Sequence, residues 1–106
     1  MELVKLIAPR LKREWLFPNE PGYYEQGKYG IRIESLIYVK KSQDKGFLDF
    51  ETLTLAPIAL NLIDIDMLNA SEKAWLNAYH KRVYEQLSKQ MSKSEKAWLK
   101  EQTKKI

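Results

Sequence analysis

Asn19-Glu20-Pro21-Gly22-Tyr23-Tyr24 and Gly30-Ile31-Arg32-Ile33-Glu34 decide how this chain folds. Pro21 pushes Glu20 toward extended backbone, and Gly22, Gly27 and Gly30 punctuate the stretch as a β-hairpin and its return. Two-residue alternation along the return strand puts Arg32, Glu34, Leu36 and Tyr38 on one face. Ile31, Ile33, Ile37 and Val39 fall on the other. The pattern therefore predicts Glu20 and Glu34 side by side on neighbouring strands, carboxylates on one face, with Arg32 beside them. Two such carboxylates repel and need a donor or a shared proton between them.

Outward from the hairpin, residues 1 to 10 form an unassigned N-terminal arm, in which Leu3, Leu6 and Ile7 have helical spacing and Pro9 is a breaker. Residues 11 to 58 read as strands: a short one before the hairpin, where Pro18 favours an edge, the hairpin itself, a turn from Ser42 to Gly46, and a further strand from Phe47 to Ile58. Residues 59 to 106 are the helical region, entered by an irregular crossing from Leu60 to Leu68. Ser71-Glu72-Lys73-Ala74-Trp75-Leu76 recurs as Ser94-Glu95-Lys96-Ala97-Trp98-Leu99. Each copy follows a capping box, Asn69 with Glu72 and Ser92 with Glu95, so two helices are expected. In the first, Trp75, Leu76, Tyr79, Val83 and Leu87 make one apolar stripe. Strands followed by consecutive helices define an α+β fold, with an antiparallel hairpin-based sheet ahead of two C-terminal helices.

The two glutamate phrases resemble the last two metal-ligand motifs of Xaa-Pro aminopeptidase, the pita-bread metallopeptidase also called aminopeptidase P. The resemblance continues through Gly46-Phe47-Leu48, Phe50-Glu51-Thr52-Leu53-Thr54-Leu55 and Ala74-Trp75-Leu76-Asn77-Ala78-Tyr79-His80, spans roughly residues 11 to 106, and looks like the C-terminal part of the long form. It implies that Glu20 and Glu34 are metal ligands to a pair of divalent cations, manganese being usual, in an enzyme that removes a residue preceding proline. It also implies that Arg32 orients a ligand carboxylate through its fork of donors and that Tyr24 hydrogen-bonds within the site; the plainer reading of Tyr24 is a half-buried hairpin aromatic. Leu11-Lys12-Arg13-Glu14-Trp15 stands where relatives usually have Leu-Lys-Pro-Gly-Met, so Arg13-Glu14 replaces a proline-glycine turn. The family takes two aspartates and histidines from upstream segments. Here the single histidine, His80, falls on a helix beside the apolar stripe and is expected to be a structural hydrogen-bonder.

Composition narrows the alternatives. With 106 residues the chain holds at most one small domain, and 44% hydrophobic content is enough to fold it. No cysteine is present, which excludes disulfides and thiolate zinc sites. The apolar run from Leu53 to Leu68 is broken by Thr54, Pro57, Asn61, Asp64 and Asp66, so no membrane span is expected. Without a signal-peptide pattern, a cytoplasmic location is expected. The net charge of +4 comes largely from lysines in the last twenty residues, where Glu95 and Glu101 dilute them; no nucleic-acid platform accompanies them.

Two functions follow from these residues. In one, the chain is the C-terminal portion of a metal-dependent aminopeptidase, supplying Glu20 and Glu34 but inactive alone. In the other it is a non-catalytic remnant or a dimerisation or assembly module. Both readings call for a partner, either a second copy in a homodimer or a complementary N-terminal chain, because a lone hairpin sheet leaves an exposed edge.

Overall fold

The computed structural model describes residues 12–106; the arm over residues 1 to 10 lies outside them. Five strands come first: β1 (Leu16–Asn19), β2 (Gly22–Glu25), β3 (Tyr29–Arg32), β4 (Ser35–Lys41) and β5 (Leu48–Thr52). Two short 3-10 turns, Leu60–Leu62 and Ile65–Met67, lead to α1 (Ala70–Leu87) and α2 (Lys93–Gln102). The chain divides between Thr54 and Leu55 into two compact units.

In the first unit β1, β4 and β5 form one antiparallel sheet in that order, and β2 pairs with β3 in a second. One register runs through both. Leu16 faces Tyr38 and Asn19 faces Ser35 across β1 and β4; Gly22 faces Arg32 and Glu25 faces Tyr29 across β2 and β3. Between them the Ile33 N–H donates to the Pro21 carbonyl at 3.1 Å. The hairpin is thus a single two-stranded ribbon whose ladder is interrupted at Glu20–Pro21 and Ile33–Glu34. The return strand is not continuous as the alternation suggested. It breaks where proline removes a donor from the opposing arm. Beyond the break Ile37 and Val39 are buried, whereas Ile31 and Ile33, on the same face by alternation, are exposed. Phe17 and Phe50, on the strands flanking β4, meet edge-to-face at 5.9 Å between centroids.

Pro18 lies in the edge strand β1, where a missing N–H costs no ladder bond. Ahead of it Glu14 adopts φ +72, the left-handed region. The Trp15 N–H closes a turn onto the Lys12 carbonyl at 3.3 Å; the Glu14 N–H donates to Val39 O at 2.9 Å, and the Val39 N–H to Trp15 O at 3.0 Å. Two residues opposing one, the first left-handed, is the bulge that glycine ordinarily starts. A glutamate has been put into glycine's backbone.

The strand expected from Phe47 to Ile58 ends at Thr52. Its last backbone bond is Leu53 N–H to Leu36 O at 2.8 Å, after which the Thr54 hydroxyl accepts from the Leu36 N–H at 2.8 Å. The next residues bond to side chains of α1 instead. Tyr79 Oη accepts from the Ala56 N–H at 3.3 Å and donates to the Ala56 carbonyl at 3.1 Å, while His80 Nε2 accepts from the Ile58 N–H at 2.9 Å. Extended backbone between Leu53 and Ala59 is satisfied without a sheet.

Both helices start as the capping boxes predict. Asn69 Oδ1 accepts from the Glu72 N–H and Glu72 returns the bond to the Asn69 N–H, each at 2.9 Å; Ser92 and Glu95 do the same at the head of α2. Leu76, Tyr79 and Val83 bury the inner stripe of α1. Tyr79 and Val83 pack with Leu99 of α2, and with Leu55, Ile58, Leu87 and Met91. Trp75 is not part of that stripe: it is 59% exposed and stacks on Tyr79 at 5.5 Å, ring planes within 5°. A position on the border of a helical stripe follows whatever stands beside it, and here the Tyr79 ring offers a flat flank.

His80 is fully buried. Because Nε2 accepts from Ile58, the neutral ring carries its proton on Nδ1, which has no hydrogen-bond partner among the described residues. Burial holds its pKa below the ordinary value of 6.5, since charging the ring would break the Ile58 bond and leave a buried cation. The unfolded chain binds that proton more readily, so the stability contributed is complete above pH 6.5 and declines as pH falls toward the folded-state value. The urea midpoint should drop between about pH 7.5 and 5.5, and His80→Gln should flatten that slope. Glu14→Gly should raise the unfolding free energy by about 0.5–1 kcal/mol, the left-handed strain relieved less the entropy that glycine adds to the unfolded chain; the Glu14 ion pair with Arg13 at 3.6 Å, both groups more than half exposed, offsets little.

Candidate metal centre

The register places Glu20 and Glu34 at facing positions of the interrupted ribbon, between the Asn19–Ser35 and Gly22–Arg32 pairs. Like charges directly across a ribbon are destabilising, and a surface under no other constraint has no use for them. What offsets the repulsion is Arg32. Its Nη1 lies 3.9 Å from Glu20 Oε2 and its Nη2 3.9 Å from Glu34 Oε2. Both carboxylates therefore converge on one guanidinium, as the alternation predicted. The expected fork of hydrogen bonds is not formed: at 3.9 Å these contacts are electrostatic, and with each side chain about half exposed they contribute little.

Tyr24 completes the arrangement. Its hydroxyl, ahead of the two carboxylates, raises the Arg32 guanidinium pKa. It is not the half-buried hairpin aromatic of the plainer reading, for 63% of the residue is exposed. The ring lies across the ribbon because there are no side chains under it. A Cβ on Gly30 would stand 2.6 Å from Tyr24 Cδ1, and one on Gly22 would stand 3.0 Å from the Tyr24 hydroxyl. Both glycines read in the sequence as turn punctuation; that one faces Tyr24 across the ribbon and the other precedes it by two on its own strand follows from the register.

Carboxylate oxygens are the donors that hard divalent cations prefer, so Glu20 and Glu34 suit a metal in kind. They do not suffice in number. Among the described residues no group of three or more His, Cys, Asp or Glu could hold an ion. His80 belongs to the second unit, where its bond to Ile58 occupies it.

A family model described as the C-terminal region of peptidase M24 matches residues 46–106. A probable Xaa-Pro aminopeptidase P of Coprinopsis cinerea is 44% identical over 101 residues, covering 88% of this chain and 16% of the relative. One from Arthroderma benhamiae is 46% identical over 96 residues, covering 83% of this chain and 14% of the relative. The crystal structure of an X-prolyl aminopeptidase from Caenorhabditis elegans, described as a cytosolic enzyme with a di-nuclear active site, superposes with a TM-score of 0.75 at 38% identity, over 91% of this chain and 17% of that one. The chain thus spans about one sixth of the length of these relatives.

Gly30→Ala should displace the Tyr24 ring, because the added Cβ would stand 2.6 Å from Tyr24 Cδ1. The NMR contacts between the Tyr24 ring and the Gly22 and Gly30 backbone should vanish, with about 1 kcal/mol lost from the unfolding free energy. An alanine variant that keeps those contacts would show that the ring has another support.

Proposed function

The chain belongs to the peptidase M24 family through its C-terminal region, and from that premise we propose that it is the C-terminal portion of a metal-dependent Xaa-Pro aminopeptidase, with Glu20 and Glu34 as two ligands of its metal pair. The observation that carries this reading is the placement of two carboxylates at facing positions of one ribbon, each 3.9 Å from a shared arginine, where stability alone disfavours them. Manganese is the proposed metal. Bound there, a divalent pair would supply Lewis acidity to a peptide bond preceding proline. Glu20 and Glu34 offer oxygen donors from a preset geometry, Arg32 offsets their repulsion, and Tyr24 raises the Arg32 guanidinium pKa further. The remaining donors have to come from elsewhere, in a longer polypeptide or a complementary chain. A cytosolic setting matches the nematode enzyme, and no helix among the described residues is long and apolar enough to cross a membrane.

The alternative, a non-catalytic assembly module that works as a homodimer or on a partner chain, draws on the small donor count and on the exposed Tyr23, Tyr29, Ile31 and Ile33 of the hairpin. One experiment separates the two. The corresponding C-terminal segment of the nematode enzyme is replaced by this chain, and manganese-dependent cleavage of an Xaa-Pro dipeptide is followed. The chimera should be active and its Glu34→Gln variant slower by at least ~100-fold, while the isolated chain should release nothing even in excess manganese. A folded, metal-free and inactive chimera would leave the assembly reading.

A further inference from the structure

The second unit carries a groove of about 730 Å³ between α1 and the segment following α2, apart from the glutamate pair. Ala78, Lys81 and Glu85 line it from α1 at three- and four-residue steps, so they share one face of that helix. Tyr84 adds half-buried aromatic surface beside them. The opposite wall is Lys100 together with Lys104 and Lys105.

That wall is built, not a loose tail. Thr103 ends α2, its N–H bonding Leu99 O at 3.0 Å and its hydroxyl donating to the same carbonyl at 2.7 Å. Three residues on, Asn77 grips the backbone of Ile106 with both halves of its carboxamide: Nδ2 donates to Ile106 O at 3.0 Å and Oδ1 accepts from the Ile106 N–H at 2.9 Å. Held at both ends, residues 103–106 fix Lys104 and Lys105 at the rim.

We propose that this groove binds a short acidic peptide segment of a partner protein, carrying an apolar side chain between its carboxylates. The floor of Ala78, Tyr84 and lysine methylenes suits an apolar anchor. The rim sets four lysines against the one carboxylate of Glu85. Glu85 already holds Lys81 at 3.8 Å and Glu101 already holds Lys104, whereas Lys100 and Lys105 lie on the groove with the charge balance in their favour. Positive charge spread along a groove, with one acid set into it, matches discrete carboxylates on an extended chain. A nucleic-acid backbone would carry its unbroken row of phosphates past Glu85.

The test uses the 106-residue chain and a fluorescein-labelled Glu-Glu-Leu-Phe-Glu-Glu peptide at low salt, read by anisotropy. Binding is expected with a Kd of ~10–100 µM, weakening as ionic strength rises. Lys100→Ala with Lys105→Ala should weaken it by roughly five- to tenfold, and Ala78→Trp, on an exposed helix position, should reduce it at least ~tenfold by filling the floor. Both variants are checked by thermal melts, and the lysine pair alone decides if Ala78→Trp fails to fold. The proposal is overturned if the peptide does not bind, if hexaglutamate binds as tightly, if an oligothymidylate binds more tightly through the same lysines, or if the lysine variant keeps full affinity.

Discussion

The antiparallel register that carries residues 16–25 past residues 29–41 is the constraint on which the first unit rests. Every pairing from Leu16–Tyr38 to Glu25–Tyr29 belongs to one alignment, so the interruption at Pro21 shifts nothing beyond it. Glu20 and Glu34 face each other because Asn19 faces Ser35. A slip of one residue would send one carboxylate to the opposite face and dissolve the site. The same alignment sets Tyr24 over Gly30 and brings Arg32 to both acids. Geometry that a metal could use is therefore established by backbone pairing, with ion pairs as a minor contribution.

The second unit solves a different problem. Leu55 to Ala59 leaves the sheet while still extended, and its part-buried amides need partners. Tyr79 and His80, consecutive on α1, supply them. The histidine that might have been taken for a catalytic group is an acceptor for a backbone N–H, and its buried Nδ1 is the cost of that role. Charging the ring would break the same bond, and burial holds its pKa below the ordinary value. Ahead of the first strand, Glu14 occupies a left-handed conformation that the turn and bulge demand whatever residue stands there.

Local signals carried much of this. The capping boxes at Asn69 and Ser92 are contacts three residues apart, complete within the sequence window that shows them, and both helices begin where they say. The replacement of proline-glycine by Arg13-Glu14 marked the place where strain now lies. The convergence of Glu20, Glu34 and Arg32 was legible because alternation and hairpin length fix faces without further information. Where β5 ended was not legible: Thr52 and Ile58 have equal claim by composition, and the choice depends on β4 beginning at Ser35 and on side chains of a helix more than twenty residues later. Trp75 was misplaced for a related reason, since a border position is buried or exposed according to the neighbour it meets.

The sequence by itself determined the α+β order of elements, the helix starts, the strand faces and the family, because each rests on nearest-neighbour geometry or on a motif of adjacent residues. Tertiary structure alone decided that Arg32 sits 3.9 Å from each carboxylate instead of gripping one, that the Tyr24 ring lies where a Cβ on Gly22 or Gly30 would stand, that His80 serves Ile58, and that Asn77 ties down Ile106 across 29 positions of chain. Those facts depend on which distant segments come within a few ångströms, and that follows from how register and core packing close the chain, which no local window of residues contains.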